Sequence, residues 1–273
     1  MDLSRHSSPV SQAAAGRTAG HAHCCVITEM KRGIAVLLAF TGLTGLSVVL
    51  SGAPAPAVPA SPSEYVAVEK FLNDIEKPPV AYQARRRLEA SSVKLKESAW
   101  LEAVTQYQPA VGLTYSIVAQ GGSERIRRRV LEAVLQAEQE NSARAEWRKG
   151  NLSRANYEFN FGGHAGDGML KMQLTPRRRD TRLVDGAALL TAKSGNLVRV
   201  EGRLSKSPSF WVRWVDVSRT YSPIGGAMMP VAIESTADVR IAGMSTFSMT
   251  YEYQMVDGQA INAAPAFALR TAR

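Results

Sequence analysis

Beyond residue 60 the sequence has no cysteine and a single histidine, His164. Disulfides are therefore excluded from that part of the chain, whatever its redox compartment. A zinc site of the usual composition is excluded as well, barring an all-carboxylate arrangement. The glycine-rich motifs of catalysis are missing too. GGSER at 121–125 lacks the trailing glycine of a nucleophile elbow and the Lys-Ser/Thr ending of a phosphate-binding loop. His164 sits in the loop GGHAGDG, where a histidine is ordinarily a solvent-exposed turn residue. Asp185, Glu201 and Glu234 fall on strand-like runs, as single acidic residues often do. Nothing here supports catalysis, so no enzyme, cofactor or metal is expected. Aromatic residues are scarce, at 7%, and their placement therefore carries information.

One long apolar run is present, and it lies near the start. From Met30 a short basic stretch leads into Gly33–Leu50 and then into a Pro/Ala segment with small residues at alternate positions. This is the layout of an export signal, with cleavage expected after Ala60 to leave Ser61. A membrane anchor is the competing reading, since 18 apolar residues lie near the lower limit of a span. Gly42, Gly45 and the small-residue tail favour cleavage. Residues 1–29 lack apolar periodicity and make poor sense ahead of an export signal. They are expected to be a non-native or disordered leader, with translation starting at Met30. Residues 30–60 form the signal and 61–273 one domain. No cysteine follows the signal to carry a lipid, which predicts an exported, unanchored product.

Residues 61–273 carry 29 Lys+Arg against 22 Asp+Glu, a formal charge of +7. Arginine triplets stand at 85–87, 127–129 and 177–179. A solvated face is one reading of each triplet. If they bind anything outside the cytoplasm, the acidic partner is a membrane surface or a lipid headgroup rather than nucleic acid.

Hydrophobic periodicity supplies the elements. Val68, Phe71, Leu72 and Ile75 recur at helical spacing, after Ser63 as N-cap and before Pro78-Pro79. Val80–Val93 and Leu95–Tyr107 read as strands. Val111–Val118 reads as a strand broken by Gly121-Gly122, with Ser123 capping a helix whose Ile126, Val130, Leu131, Val134 and Leu135 share one face. From Ala155 onward seven alternating runs follow, each closed by a turn signal, as in an antiparallel meander. The class expected is α+β, a broad antiparallel sheet wrapped around helices that cover its concave side.

Alternation nominates inward-facing residues, although a packed core and an open cavity require the same pattern. They are Tyr157, Phe159 and Phe161; Phe210, Val212 and Trp214; and Phe247, Met249, Tyr251 and Tyr253. Met228 joins them as one of several adaptable methionines. Arg177, Arg178, Arg179 and Arg213 are candidates to meet an anionic headgroup at the rim.

Three stretches carry a family resemblance: EGRLSKSPSFWVRWVDVSRTY (201–221), MPVAIESTADVRIAGMSTFSMTYEY (229–253) and GGSERIRRRVLEAVLQAE (121–138). Over residues 64–258 the chain resembles the LolA/LolB-like superfamily of bacterial envelope proteins. That resemblance implies an incomplete antiparallel β-barrel, a half-barrel, whose helices cover the concave face and enclose an apolar cavity. It implies a periplasmic carrier of acyl chains, lipids or lipoproteins, with membrane-surface or envelope proteins as further partners. It also implies an arginine on an early strand that holds the helical lid closed, for which Arg85, Arg86 and Arg87 stand in the comparable region. The alternative is a structural or regulatory envelope protein that binds another protein through the sheet surface, without a lipid cavity.

Overall fold

The computed structural model describes residues 61–261, apart from Ala145 and Asp167. The expected leader and export signal lie outside the described residues.

Helix α1 (Pro62–Asp74) opens on a capping box: the Ser61 hydroxyl accepts from the Glu64 amide, and the Glu64 carboxylate accepts from the Ser61 amide. The cap is thus Ser61, two residues before the serine expected. Three strands follow, β1 (Tyr82–Ser92), β2 (Glu97–Gln108) and β3 (Gly112–Gly122). Strand β3 runs through Gly121-Gly122 instead of stopping there. A Cβ at Gly121 would meet the Trp100 indole at 2.7 Å, so the glycines let β3 lie close against β2.

Ser123 caps the next helix as expected. It is an α-helical turn, α2 (Glu124–Ile126), a π-helical segment (Arg127–Glu132) and α3 (Ala133–Ala143), with no break between them. The π-helical segment changes which residues face the sheet. Ile126 and Leu131 are buried five residues apart, and Leu135 follows four later, whereas Val130 is exposed. A regular helix would have presented Val130; the wider turn displaces it outward.

A 3₁₀ turn (Glu146–Lys149) leads to the meander of seven strands: β4 (Tyr157–His164), β5 (Met169–Pro176), β6 (Val184–Thr191), β7 (Leu197–Leu204), β8 (Val212–Ile224), β9 (Ala227–Val239) and β10 (Gly243–Val256). A short β11 (Gln259–Ala260) pairs with β10. All pairings are antiparallel, and the order is β3-β2-β1-β10-β9-β8-β7-β6-β5-β4. The sheet is open, with β3 and β4 as its edges. The first three strands join the meander through β1–β10, a long-range pairing that local pattern does not announce. The architecture is α+β, an incomplete barrel.

Register identifies the inner face. Phe161, Met172, Ala188, Val200 and Arg219 are successive partners across β4 to β8. The row continues through Ile233, Met249, Leu88 and Leu101. Helix α1 packs Ala67, Val68 and Phe71 on one end of this face, against Tyr157, Leu170, Met172, Leu174, Leu190 and Val200. The second helix packs Ile126, Leu131 and Leu135 on the other end, against Leu88, Leu101, Ala103 and Met249. Two separate helical covers therefore share one face of the sheet.

Candidate functional site

Between the two covers lies the inner face of β8 and β9. Val215 pairs with Ala237, and Val217 with Ser235. All four are half-buried, and none belongs to either helix-covered cluster. Val215, Val217 and Ala237, with Ser235 beside them, thus remain partly wet, as do their cross-strand neighbours Gly202, Ser245 and Phe247.

Arg219 stands on the same face, between Val200 and Ile233. Its Nε is buried without a hydrogen-bond partner, and its guanidinium forms no ion pair with a described residue. Its charge acts on the hydroxyls of Tyr157 and Tyr251. A buried donor left unpaired costs about 1–3 kcal/mol, more when it is charged. A group of this kind in an apolar surround points to a ligand or a water that completes it.

Arg86 shares the unpartnered buried Nε but differs in having an ion pair. The arginine is 1% exposed on the inner face of β1 and forms an ion pair with Glu138 on α3. Its Nη2 donates to the Tyr82 hydroxyl at 2.5 Å, and its guanidinium lies 4.6 Å from the centre of the Tyr251 ring. Burial alone would lower the Arg86 pKa. The Glu138 carboxylate and the Tyr251 and Tyr82 hydroxyls together outweigh it, so the charged form is held more firmly than in an ordinary arginine. Arg85 and Arg87 point to the opposite face, where both bind Glu102. Of the three arginines in the triplet, Arg86 alone ties a strand to the helical cover.

Tyrosines surround this tie. Tyr82 stacks on Tyr107 at 5.7 Å, Tyr253 meets Tyr82 edge-on at 5.6 Å, and Tyr251 stacks on Tyr253 at 5.9 Å. Burial pushes the Tyr251 and Tyr253 hydroxyls well above the usual phenol range, so both stay protonated. Tyr253 donates to the Pro230 carbonyl at 2.7 Å.

Among the nominated inward residues, Tyr157, Met249 and Tyr253 are buried on the inner face, and Phe159, Phe161, Phe247 and Tyr251 are half-buried and packed against its clusters. Val212 is half-buried where β8 begins. Three expectations are corrected. Phe210 is 74% exposed and precedes β8 instead of lying in it. Trp214 faces outward, because a bulge between Val212 and Trp214 reverses the alternation and sets Trp214 opposite Asp238. Met228 alternates with Met229, and it is Met229 that is buried.

The rim arginines part company as well. Arg177 donates to the Arg154 and Tyr157 carbonyls, and Arg178 to Asn156 and the Lys149 carbonyl, so both fasten the loop after β5. Arg179 and Arg213 line an outer groove of about 400 Å³ with Arg203, Asp185 and Trp214. A second groove, about 260 Å³, also lies on the outer side, over Glu89, Ser91 and Trp100. Beneath the helices, by contrast, side chains of the chain itself fill the inner face. Arg219 is the residue that sequence reasoning missed. An arginine two positions after Val217 carries the signature of an inward residue, yet its charge argues for the outside.

His164 places Nε2 2.8 Å from Glu64 Oε1, an exposed pair that ties β4 to the start of α1. Among the described residues, no group of three or more His, Cys, Asp or Glu could hold a metal ion, and no helix is long and apolar enough to cross a membrane.

No family model and no curated protein matches the chain. Among solved structures it is similar to a LolA superfamily protein from Nitrosomonas europaea, at 12% identity and a TM-score of 0.40, over 77% of this chain and 96% of that one. It is also similar to a DUF1329 family protein from Desulfovibrio piger ATCC 29098, at 8% identity and a TM-score of 0.31, over 72% of this chain and 92% of that one.

Proposed function

We propose that the protein binds an amphiphile, an acyl chain with an anionic head, on the inner face between its two helical covers, and acts as an exported, non-enzymatic carrier of lipids or lipoproteins in the periplasm. The observation that carries this reading is Arg219, a cation without an ion pair to any described residue, beside the half-buried Val215 and Val217. A carboxylate or phosphate would complete the guanidinium, and the tail would lie along Val217 and Val215 toward Val212. At about 3.3 Å per residue that path is roughly 23 Å long, enough for a 16-carbon chain. Burial at about 0.8 kcal/mol per methylene supplies on the order of 10 kcal/mol before ordering costs.

Because side chains already fill the inner face beneath the helices, a fully enclosed tail requires the α2–α3 cover to swing outward. That movement breaks the Arg86–Glu138 pair. A carrier must release what it takes up, and one ion pair at the cover is a modest barrier to opening.

Delipidated protein titrated with a fluorescent fatty acid, then competed with palmitate and with hexadecanol, tests the reading. Saturable binding is expected, with palmitate the stronger competitor. Arg219→Met should weaken palmitate about tenfold and leave hexadecanol unchanged, the loss of one charge-assisted contact. Absence of saturable binding, or equal loss for both competitors, would remove it. It would favour instead a protein partner on the outer face, where Trp214 and Arg203 line the larger groove.

A further inference from the structure

We propose that one end of the half-barrel is a docking edge for an anionic bilayer. This assignment concerns a surface apart from the inner face and does not rest on the ligand proposed above. The antiparallel register brings three turns to the same end: β1–β2 at 93–96, β7–β8 at 205–211 and β9–β10 at 240–242. They are stitched into one edge. The Val93 amide donates to the Met244 carbonyl at 3.1 Å, and the Arg240 amide to the Trp211 carbonyl at 2.8 Å. The Ser92 hydroxyl donates to the Ala242 carbonyl at 2.8 Å.

This edge holds large apolar side chains out toward solvent. Phe210 is 74% exposed, Val93 69%, Ile241 57% and Met244 42%. Trp211 meets Phe210 edge-on at 5.6 Å, and the Arg240 guanidinium lies 4.6 Å from the centre of the Phe210 ring. Contiguous exposed apolar side chains rimmed by polar ones mark a surface that meets a partner.

Charge selects the partner. Lys94, Lys96, Lys206 and Arg240 stand in these turns, and none forms an ion pair with a described carboxylate. In the neighbouring β5–β6 loop Arg177 pairs with Glu158, Arg178 with Asp180, and Arg182 with Asp180 and Glu146, so this loop adds Arg179 as a cation without an ion pair to a described carboxylate. The turns at the opposite end, at 109–111, 165–168, 192–196, 225–226 and 257–258, hold one lysine and two aspartates. Cations around protruding aromatic and aliphatic tips match an acidic headgroup layer over hydrocarbon. A nucleic acid or an acidic protein would use the charge and leave the Phe210, Ile241 and Val93 side chains in water.

The test is equilibrium binding of the full chain to vesicles of phosphatidylcholine with and without 30% phosphatidylglycerol, read by quenching of tryptophan fluorescence with brominated acyl chains. Residues 1–60 contain no tryptophan, so this readout does not report insertion of the apolar run near the start. Binding should favour the anionic vesicles at least tenfold, fall with salt, and show quenching that Trp211→Phe removes. Neutralising Lys94, Lys96, Lys206 and Arg240 to Gln should weaken binding about fivefold per residue, and Phe210→Ser should lower it further without changing the melting temperature. Equal binding to neutral vesicles, an unaffected quadruple variant, or unquenched Trp211 would overturn the assignment. Equal affinity for a soluble polyanion such as heparin would overturn it in favour of a purely electrostatic partner.

Discussion

Arg86 and Arg219 lie on the same inner face, and among the described residues Arg86 has an ion pair and Arg219 has none. The pair asymmetry of Arg86 and Glu138 gives a directional expectation. Arg86 is dry, while Glu138 retains about a third of its exposure. Removing the carboxylate strands a buried cation, whereas removing the arginine leaves an acid that water can reach. Glu138→Ala should therefore cost about 2 kcal/mol, below the roughly 3–5 of fully buried pairs, and Arg86→Met should cost less. Urea unfolding of both variants decides it, and equal costs would argue against the arginine as the dry partner. At this scale the sequence placed three arginines at 85–87 but did not say which one turns inward. Strand parity alone leaves two choices, and only pairing with β10 puts Arg86 opposite Tyr251.

The curl of the sheet is set by particular pairs at the scale of the element. Gly186 and Gly202 face each other across β6 and β7. A Cβ at Gly186 would fall 2.1 Å from the Glu201 carbonyl oxygen, and one at Gly202, whose φ is +152°, 2.3 Å from the Asp185 carbonyl oxygen. Neither strand can carry a side chain there without moving apart, so the glycines permit a close backbone approach that side chains would forbid. Gly186→Ala should destabilise by about 2 kcal/mol, lowering the melting temperature by roughly 5 °C in a domain of this size. Calorimetry reading no change would mean that the strands separate freely. Seven meander strands were legible because each alternates and ends in a turn signal. The bulge before Trp214 and the π-helical segment at Arg127–Glu132 were not. Each is a shift of one residue, which hydrophobic pattern tolerates and only the long-range partner resolves.

The whole molecule has a polarity of its own, with basic apolar turns at one end and nearly uncharged turns at the other. Ser61, the first described residue, bears on the export expected from the sequence. Ser61 closes the capping box of α1 with its backbone amide and hydroxyl. If export cleaves after Ala60, that amide becomes the terminal ammonium and still donates to Glu64. N-terminal sequencing of the exported protein should read Ser-Pro-Ser-Glu-Tyr. A start inside Gly33–Leu50 or earlier would mean the apolar run is retained as an anchor.

Alternation and turn residues by themselves determined ten of the eleven strands, the α+β class and most of the side chains available to an interior, because these follow from the local periods of helix and strand. Tertiary structure decided what those residues do. Only the β1–β10 pairing carries the N-terminal strands and their helical cover into the sheet, and only the folded sheet sets Arg219 between the two covers without an ion pair to a described residue. Contacts over such sequence distances depend on which surfaces the folded chain can bury together, and no local window contains that information.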